Sequence, residues 1–259
     1  MAAAVLQRLV RFVPKSNPSK ILIGQPADKD IDVGAALRKG REVAVNVWSG
    51  SSVLAPGDST GATETIERVL SPLAQSEVGT VRCIGLNVDN TGDYEAELAV
   101  VIGKAAKNVS EADALDYVLG YTAANDVSSR TQQLNQSQWS FSKSFDGACP
   151  LGPTLALKSS IPDPSKLYLR GIKNNEVVQE SGIDDLIFSV PQIVSWLSQS
   201  TTLPAGTVII TGTPAGVGMG RTPKDSLKGG DEFSVEILPH IGTLTNVYEN
   251  EKGGHISSL

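Results

Sequence analysis

Polar and apolar positions alternate along the first stretch of the chain. Arg8-Leu9-Val10-Arg11-Phe12-Val13 and Lys20-Ile21-Leu22-Ile23-Gly24 flank a turn containing Asn17-Pro18, the pattern of two strands joined as a hairpin. Glu42-Val43-Ala44-Val45-Asn46-Val47-Trp48 repeats the alternation and predicts a third strand. Residues 63–70 place Ile66, Val69 and Leu70 at helical spacing and predict a short helix. A small, β-rich N-terminal domain is therefore expected over 1–78.

From residue 79 onward the texture changes to β-branched and alanine-rich runs broken by Gly and Pro. Strands are expected at 81–86, 94–103, 207–211 and 233–238. Ser110 followed by acids and spaced apolar residues predicts a helix over 110–118, and Val190-Pro191-Gln192-Ile193-Val194-Ser195-Trp196-Leu197 predicts another. Residues 167–173 and 176–180 flank Asn174-Asn175, a hairpin turn. Strands outnumber helices, so residues 79–259 read as a larger α+β domain built on a rolled, mainly antiparallel sheet. No internal repeat is visible.

Composition narrows the classes of function. The 22 basic and 28 acidic residues give a net charge of -6, the wrong sign for holding a phosphate backbone, so nucleic acid is not expected as a partner. No apolar run reaches the roughly 20 residues that a membrane span requires. Cys83 and Cys149 are too few for a disulfide framework, which suits a reduced, cytoplasmic setting. The basic, acid-poor stretch before Asp28 admits a mitochondrial address, although its alternation argues that it belongs to the fold.

The candidate chemistry begins at Glu95-Ala96-Glu97. Side chains two apart on a strand share a face, so the two glutamates converge and repel. A third carboxylate, Asp126, follows Asn125 in another strand with a polar tip. A divalent cation would relieve the repulsion, and an all-oxygen donor set suits Mg²⁺ or Mn²⁺ better than Zn²⁺. Taken alone, such a pair is more often two solvated glutamates on an edge strand.

Four ordered motifs weigh against that plainer interpretation. They are Asp93-Tyr94-Glu95-Ala96-Glu97-Leu98-Ala99-Val100-Val101-Ile102-Gly103, Gly120-Tyr121-Thr122-Ala123-Ala124-Asn125-Asp126-Val127-Ser128-Ser129-Arg130, Lys143-Ser144-Phe145-Asp146, and Thr211-Gly212-Thr213-Pro214-Ala215-Gly216-Val217-Gly218. Together they resemble the fumarylacetoacetate hydrolase family over most of residues 80–250. The resemblance implies a mixed β-roll, a homodimer, and a site for Mg²⁺ or Mn²⁺, with Ca²⁺ also admitted. It implies a small keto acid or 1,3-dicarbonyl as substrate, with hydrolysis of a C–C bond as in acylpyruvases. Decarboxylation or tautomerisation of oxaloacetate type is the alternative.

Carried over residue by residue, the resemblance makes Glu95, Glu97 and Asp126 metal carboxylates and Lys143 the lysine beside them, with Gly147 in the adjoining loop. Arg130 and Gln133 match supporting or substrate-contact positions, and Thr213 matches a contact to the substrate carboxylate. Each has a plainer account: Lys143 as a solvated surface lysine, Arg130 as an ion-pair partner, the Gly-Thr-Pro run as a turn.

One departure stands out. The family implies a lid of several dozen residues bearing a water-activating His and Glu, yet only Val88-Asp89-Asn90-Thr91-Gly92 separate Asn87 from Asp93. The only histidines, His240 and His255, do not match that pair. A natural short form, specialisation toward decarboxylation or tautomerisation, an incomplete gene prediction, and a metal-binding homologue with impaired catalysis all remain open.

Overall fold

In the computed structural model, residues 6–78 and 91–249 are described. Strand β1 (Arg8–Pro14) pairs with β2 (Leu22–Pro26) in the expected hairpin, Phe12 facing Leu22. Arg8 and Arg11 of the basic stretch thus lie within the fold. A short helix α1 (Val33–Arg38), capped by Asp32, precedes β3 (Ala44–Trp48).

The helix expected at 63–70 is instead part of a long strand, β4 (Ser59–Leu70). Its apolar residues do fit helical spacing, but Thr60, Thr63, Thr65, Ile66 and Val69 are β-branched, and β4 finds partners on both edges, β1 and β3. With β1 bonded to β2 and β4, the four strands close into a ring. Phe12, Val33, Val45 and Ile66 fill its interior.

The ring is hydrogen-bonded to the rest of the chain, because β1 also pairs with β9 (Leu9 opposite Leu155). The division at residue 78 therefore remains a proposal about chain segments, and one sheet runs across it. After β5 (Gly92–Asp93) come β6 (Ala96–Ile102), β7 (Val118–Asn125), β8 (Ser128–Ser129), helix α2 (Arg130–Asn135) and β9 (Leu151–Leu157). The hairpin β10 (Tyr168–Lys173) and β11 (Glu176–Gly182) turns at Asn174 and Asn175, both at positive φ as such a turn requires. Helix α3 (Val190–Leu197), β12 (Val208–Ile210), β13 (Glu232–Leu238) and β14 (Gly242–Val247) complete the chain.

Two sheets result. The larger has the order β12-β6-β7-β9-β1-β2-β3-β4, and the smaller β11-β10-β13-β14. All the strand pairings among the described residues are antiparallel, and the fold is an α+β roll with few helices. Leu98, Val100 and Tyr121 from one sheet meet Leu169, Phe233 and Ile237 from the other in the main core. Val101 faces the opposite side, beside Leu9, Ile23 and Leu155. Burial on both faces is why β6 reads as a nearly unbroken apolar run.

Helix α3 forms as expected, with Ser189 and Gln192 bonded reciprocally in a capping box. The helix expected over 110–118 shrinks to a single 3₁₀ turn, Ala114–Tyr117. Gly103 N donates to Tyr117 O at 2.8 Å, and Val118 pairs with Ile102, so the chain must extend where the helix would continue. The strand expected at 81–86 lies outside the described residues. No helix among the described residues is long and apolar enough to cross a membrane.

Candidate metal and substrate site

The expected strand over 94–103 starts only at Ala96, and Glu95 sits in the short gap between β5 and β6. Its convergence with Glu97 thus needs more than strand alternation. Asn125 Oδ1 accepts from Glu95 N at 3.0 Å, and Asp126 N donates to Glu95 O at 2.9 Å. Those two bonds place Glu95 beside Asp126, while β6 carries Glu97 onto the same spot. One carboxylate oxygen from each of the three lies within 4.8 Å of the others, and all three residues are buried.

Two cations approach this cluster. Arg130 opens α2, with Ser129 as its cap, and donates through Nε to Asp93 Oδ2 at 2.9 Å and through Nη1 to Glu95 Oε1 at 2.6 Å. Arg130 Nη1 also donates to Gln133 Oε1 at 2.9 Å, so Gln133 is hydrogen-bonded to the arginine. Lys143, from the 3₁₀ turn Trp139–Lys143, donates to Glu95 Oε2 at 2.8 Å, Asp126 Oδ2 at 2.5 Å and Ser128 Oγ at 2.8 Å. Its ammonium is thus bonded into the carboxylate cluster rather than solvated at the surface.

Charge is unbalanced here. Among the described residues, Asp93, Glu95, Glu97 and Asp126 face Arg130 and Lys143 as their only cations. Glu97 bears most of the imbalance, since among the described residues its carboxylate accepts one hydrogen bond, from Gly212 N at 2.7 Å. Burial, then the nearby Asp126, push its pKa up to about 8, against the pull of that N–H. Burial also raises Asp126 despite Lys143. Burial opposes the charge on Lys143, but Asp126 and Glu95 prevail and hold its pKa above the usual lysine range. Two uncompensated negative charges on an all-oxygen donor set fit a hard divalent cation, which Glu95, Glu97 and Asp126 would hold.

The Gly-Thr-Pro stretch lies against this cluster. Thr213 Oγ1 donates to Ala96 O at 3.0 Å and accepts from Gln179 Nε2 at 2.7 Å. Gln179, reaching in from β11, also accepts from Ala96 N at 3.0 Å, so a single buried amide ties this loop to the start of β6. Asp93 performs the same service for the following residues, accepting from Gly218 N at 2.7 Å and Met219 N at 2.8 Å. A Cβ on Gly218 would stand 1.9 Å from Asp225 O, so only glycine allows that approach.

Sequence reasoning therefore reached the three carboxylates and the residues around them, but missed Asp93, Ser128 and Gln179. Asp93 and Ser128 stood inside the quoted motifs. Gln179 carried no signal, because an isolated Gln in a hairpin strand reads as solvated. His240 is apart from the cluster, its carbonyl accepting from Arg8 Nη1 at 3.0 Å. His255 and most of the short link before Asp93 lie outside the described residues. Gly147, at positive φ, has open space around its Cα.

Residues 211–215 also line a groove of about 380 Å³ together with Leu169, Ile183, Leu186, Phe188 and others. An antiparallel β-roll with a buried acidic oxygen cluster, flanked by Lys and Arg, defines a class of fold with a candidate site whose donors fit a divalent cation.

Comparison with known proteins narrows the class. The family described as fumarylacetoacetate (FAA) hydrolase C-terminal matches residues 47–248. The chain belongs to this family. It is similar to a caffeoylpyruvate hydrolase of Neonothopanus nambi, 39% identical over 297 aligned residues covering 96% of each chain. That span exceeds the 259 residues here, so the relative carries residues that this chain lacks. It is also similar to the oxaloacetate tautomerase YisK of Bacillus subtilis, 47% identical over 154 residues, or 60% of this chain and about half (51%) of that protein. Among solved structures, a fumarylacetoacetate hydrolase from Exiguobacterium antarcticum superposes with a TM-score of 0.75, at 25% identity over 95% of this chain and 100% of that one.

Proposed function

We propose that this chain is a Mg²⁺- or Mn²⁺-dependent hydrolase of C–C bonds in acylpyruvate-type keto acids. The observation that carries the proposal is the Glu95, Glu97 and Asp126 cluster, buried, short of positive charge and touched by Lys143 and Arg130. Similarity to a caffeoylpyruvate hydrolase along almost the whole of both chains supports it.

A divalent cation, when bound, supplies a Lewis acid for the oxygen on which enolate charge develops. The chain's own residues do the remaining work. Lys143, kept charged by Asp126 and Glu95, adds fixed positive charge at the same place. Arg130 holds Glu95 in position and is itself held by Asp93.

Thr213 is proposed as the contact for the substrate carboxylate, but its hydroxyl proton is turned toward Ala96 O. The contact is therefore assigned to the N–H groups of Thr213 and Ala215, which bond to no described residue. Such pre-positioned donors favour charge without reorganisation.

A second interpretation, an oxaloacetate tautomerase, is favoured by the 47% identity to YisK and by the lack of any histidine near Lys143 among the described residues. Lys143 would then carry the proton. The two differ in product. With Mn²⁺ added, an acylpyruvate should yield pyruvate and a carboxylic acid, whereas tautomerase activity would change only the keto and enol populations of oxaloacetate. Turnover of neither would dismiss both. The cytoplasm is the proposed compartment, with the mitochondrion as the alternative, and cell fractionation decides between them.

A further inference from the structure

Lys143 bonds to oxygens that a cation at this site would also need. Its Nζ donates to Glu95 Oε2 at 2.8 Å and to Asp126 Oδ2 at 2.5 Å, while Arg130 Nη1 takes the other oxygen of Glu95, Oε1, at 2.6 Å. Both oxygens of Glu95 are therefore held by a positive group. Asp126 Oδ1 and Glu97 Oε1, by contrast, accept no hydrogen bond among the described residues.

The two positive groups are not seated alike. Arg130 is buried and shared among Glu95, Asp93 and Gln133, so withdrawing it from Glu95 would disturb three buried partners. Lys143 ends the turn Trp139–Lys143, its side chain is 20% exposed, and its third bond is to Ser128 Oγ, a neutral group. Ser128 Oγ itself donates to Asp126 O at 3.0 Å, which leaves its lone pairs for the lysine. A compact ammonium on a flexible stem can give up two partners and keep the third.

A carboxylate oxygen has lone pairs for more than one partner. An ammonium and a doubly charged ion on the same two carboxylates nevertheless stand a few ångströms apart, and at the low effective dielectric of a buried site they repel strongly. Occupancy by one disfavours the other.

On the metal-dependent reading above, we propose that Lys143 competes with the divalent cation for Glu95 and Asp126. It lowers the site's affinity for the ion and gives up those two carboxylates when the ion binds, with Ser128 as its remaining anchor. Its ammonium is then free for a substrate oxygen. Such coupling is reciprocal: the factor that Lys143 removes from metal affinity is the factor by which metal loosens Lys143.

Calorimetric titration of the full chain with Mn²⁺ separates this competition from a lysine that merely arranges the carboxylates for the ion. Lys143→Met should bind Mn²⁺ about tenfold more tightly than the wild type, even as it loses activity. Lys143→Gln, neutral but polar, should shift affinity in the same direction. An affinity that is unchanged or weaker in both variants overturns the competition and leaves the metal site standing. No Mn²⁺ binding by the wild type or either variant removes the metal-dependent reading and this inference with it.

A second arm uses the wild type, so it stands even where a substitution in the buried cluster unfolds the chain. Acetylation of Lys143 by acetic anhydride, followed by peptide mass mapping, should quicken about tenfold at saturating Mg²⁺, because a side chain released from two carboxylates is more open to the reagent. Lys158, paired with Asp116, should label at the same rate with and without Mg²⁺. Labelling of Lys143 that Mg²⁺ leaves unchanged or slows overturns the proposal.

Discussion

Glu97 is buried to 2% exposure and, among the described residues, its carboxylate has one N–H as partner, so its proton is worth more to the folded chain than to the unfolded one. An unfolded glutamate titrates near pH 4.3, and the folded value is raised to about 8. The folded state thus binds the proton more tightly. Its contribution is fully present below about pH 4.3 and is lost as pH rises through about 8. The metal-free protein should lose about 5 °C of Tm between pH 6 and pH 9. Saturating Mn²⁺ should reverse that trend, since the cation needs the ionised form. Glu97→Gln should flatten the metal-free profile and abolish the Mn²⁺ response. A metal response that survives in Glu97→Gln would remove this glutamate from the ligand set. At Lys143 the geometry is equally restrictive, with one Nζ serving Glu95, Asp126 and Ser128. Lys143→Met should reduce kcat about 10²-fold or more, and Lys143→Arg should not restore it, because a planar fork cannot replace a compact ammonium with three donors.

At the scale of elements, the site depends on two buried side chains that join segments distant in sequence. Asp93 binds α2 through Arg130 and the 216–219 turn through two N–H groups. Gln179 binds β11 to β6 and to the Thr213 loop. Asp93→Asn should cost about 3 kcal/mol in urea unfolding, because Arg130 loses a buried partner, and Gln179→Ala about 1–3 kcal/mol. Both should lower kcat although neither residue belongs to the cluster. A drop in stability with unchanged kcat would show that the loop holds its position without them. The same scale explains the failed helix at 63–70. Ile66, Val69 and Leu70 satisfy a helical period, yet β1 and β3 offer hydrogen bonds on both edges, and pairing overrides a marginal periodicity.

For the whole molecule, the closed ring of β1 to β4 and the two facing sheets make a scaffold whose core runs under the site. The homodimer implied by resemblance remains a proposal, and light scattering should give twice the chain mass of 27.2 kDa. A single-chain mass at micromolar concentration would end it. Exposed Leu134, Trp139 and Trp196 show that ample apolar surface stays open on the isolated chain.

What the sequence determined by itself was local or carried by motifs: the β1–β2 and β10–β11 hairpins, the capped helix α3, and carboxylates two apart at Glu95 and Glu97. Turn chemistry, capping and short spacing act within a few residues, so they can be read without knowing the fold. Tertiary structure alone decided that Asp126 lies beside Glu95, that Lys143 bridges them, and that Gln179 and Asp93 lock the loop in place. Those contacts join residues from 17 to 126 positions apart. It also decided that positive charge falls short around Glu97, since burial and charge balance belong to the packed chain and to no segment of it.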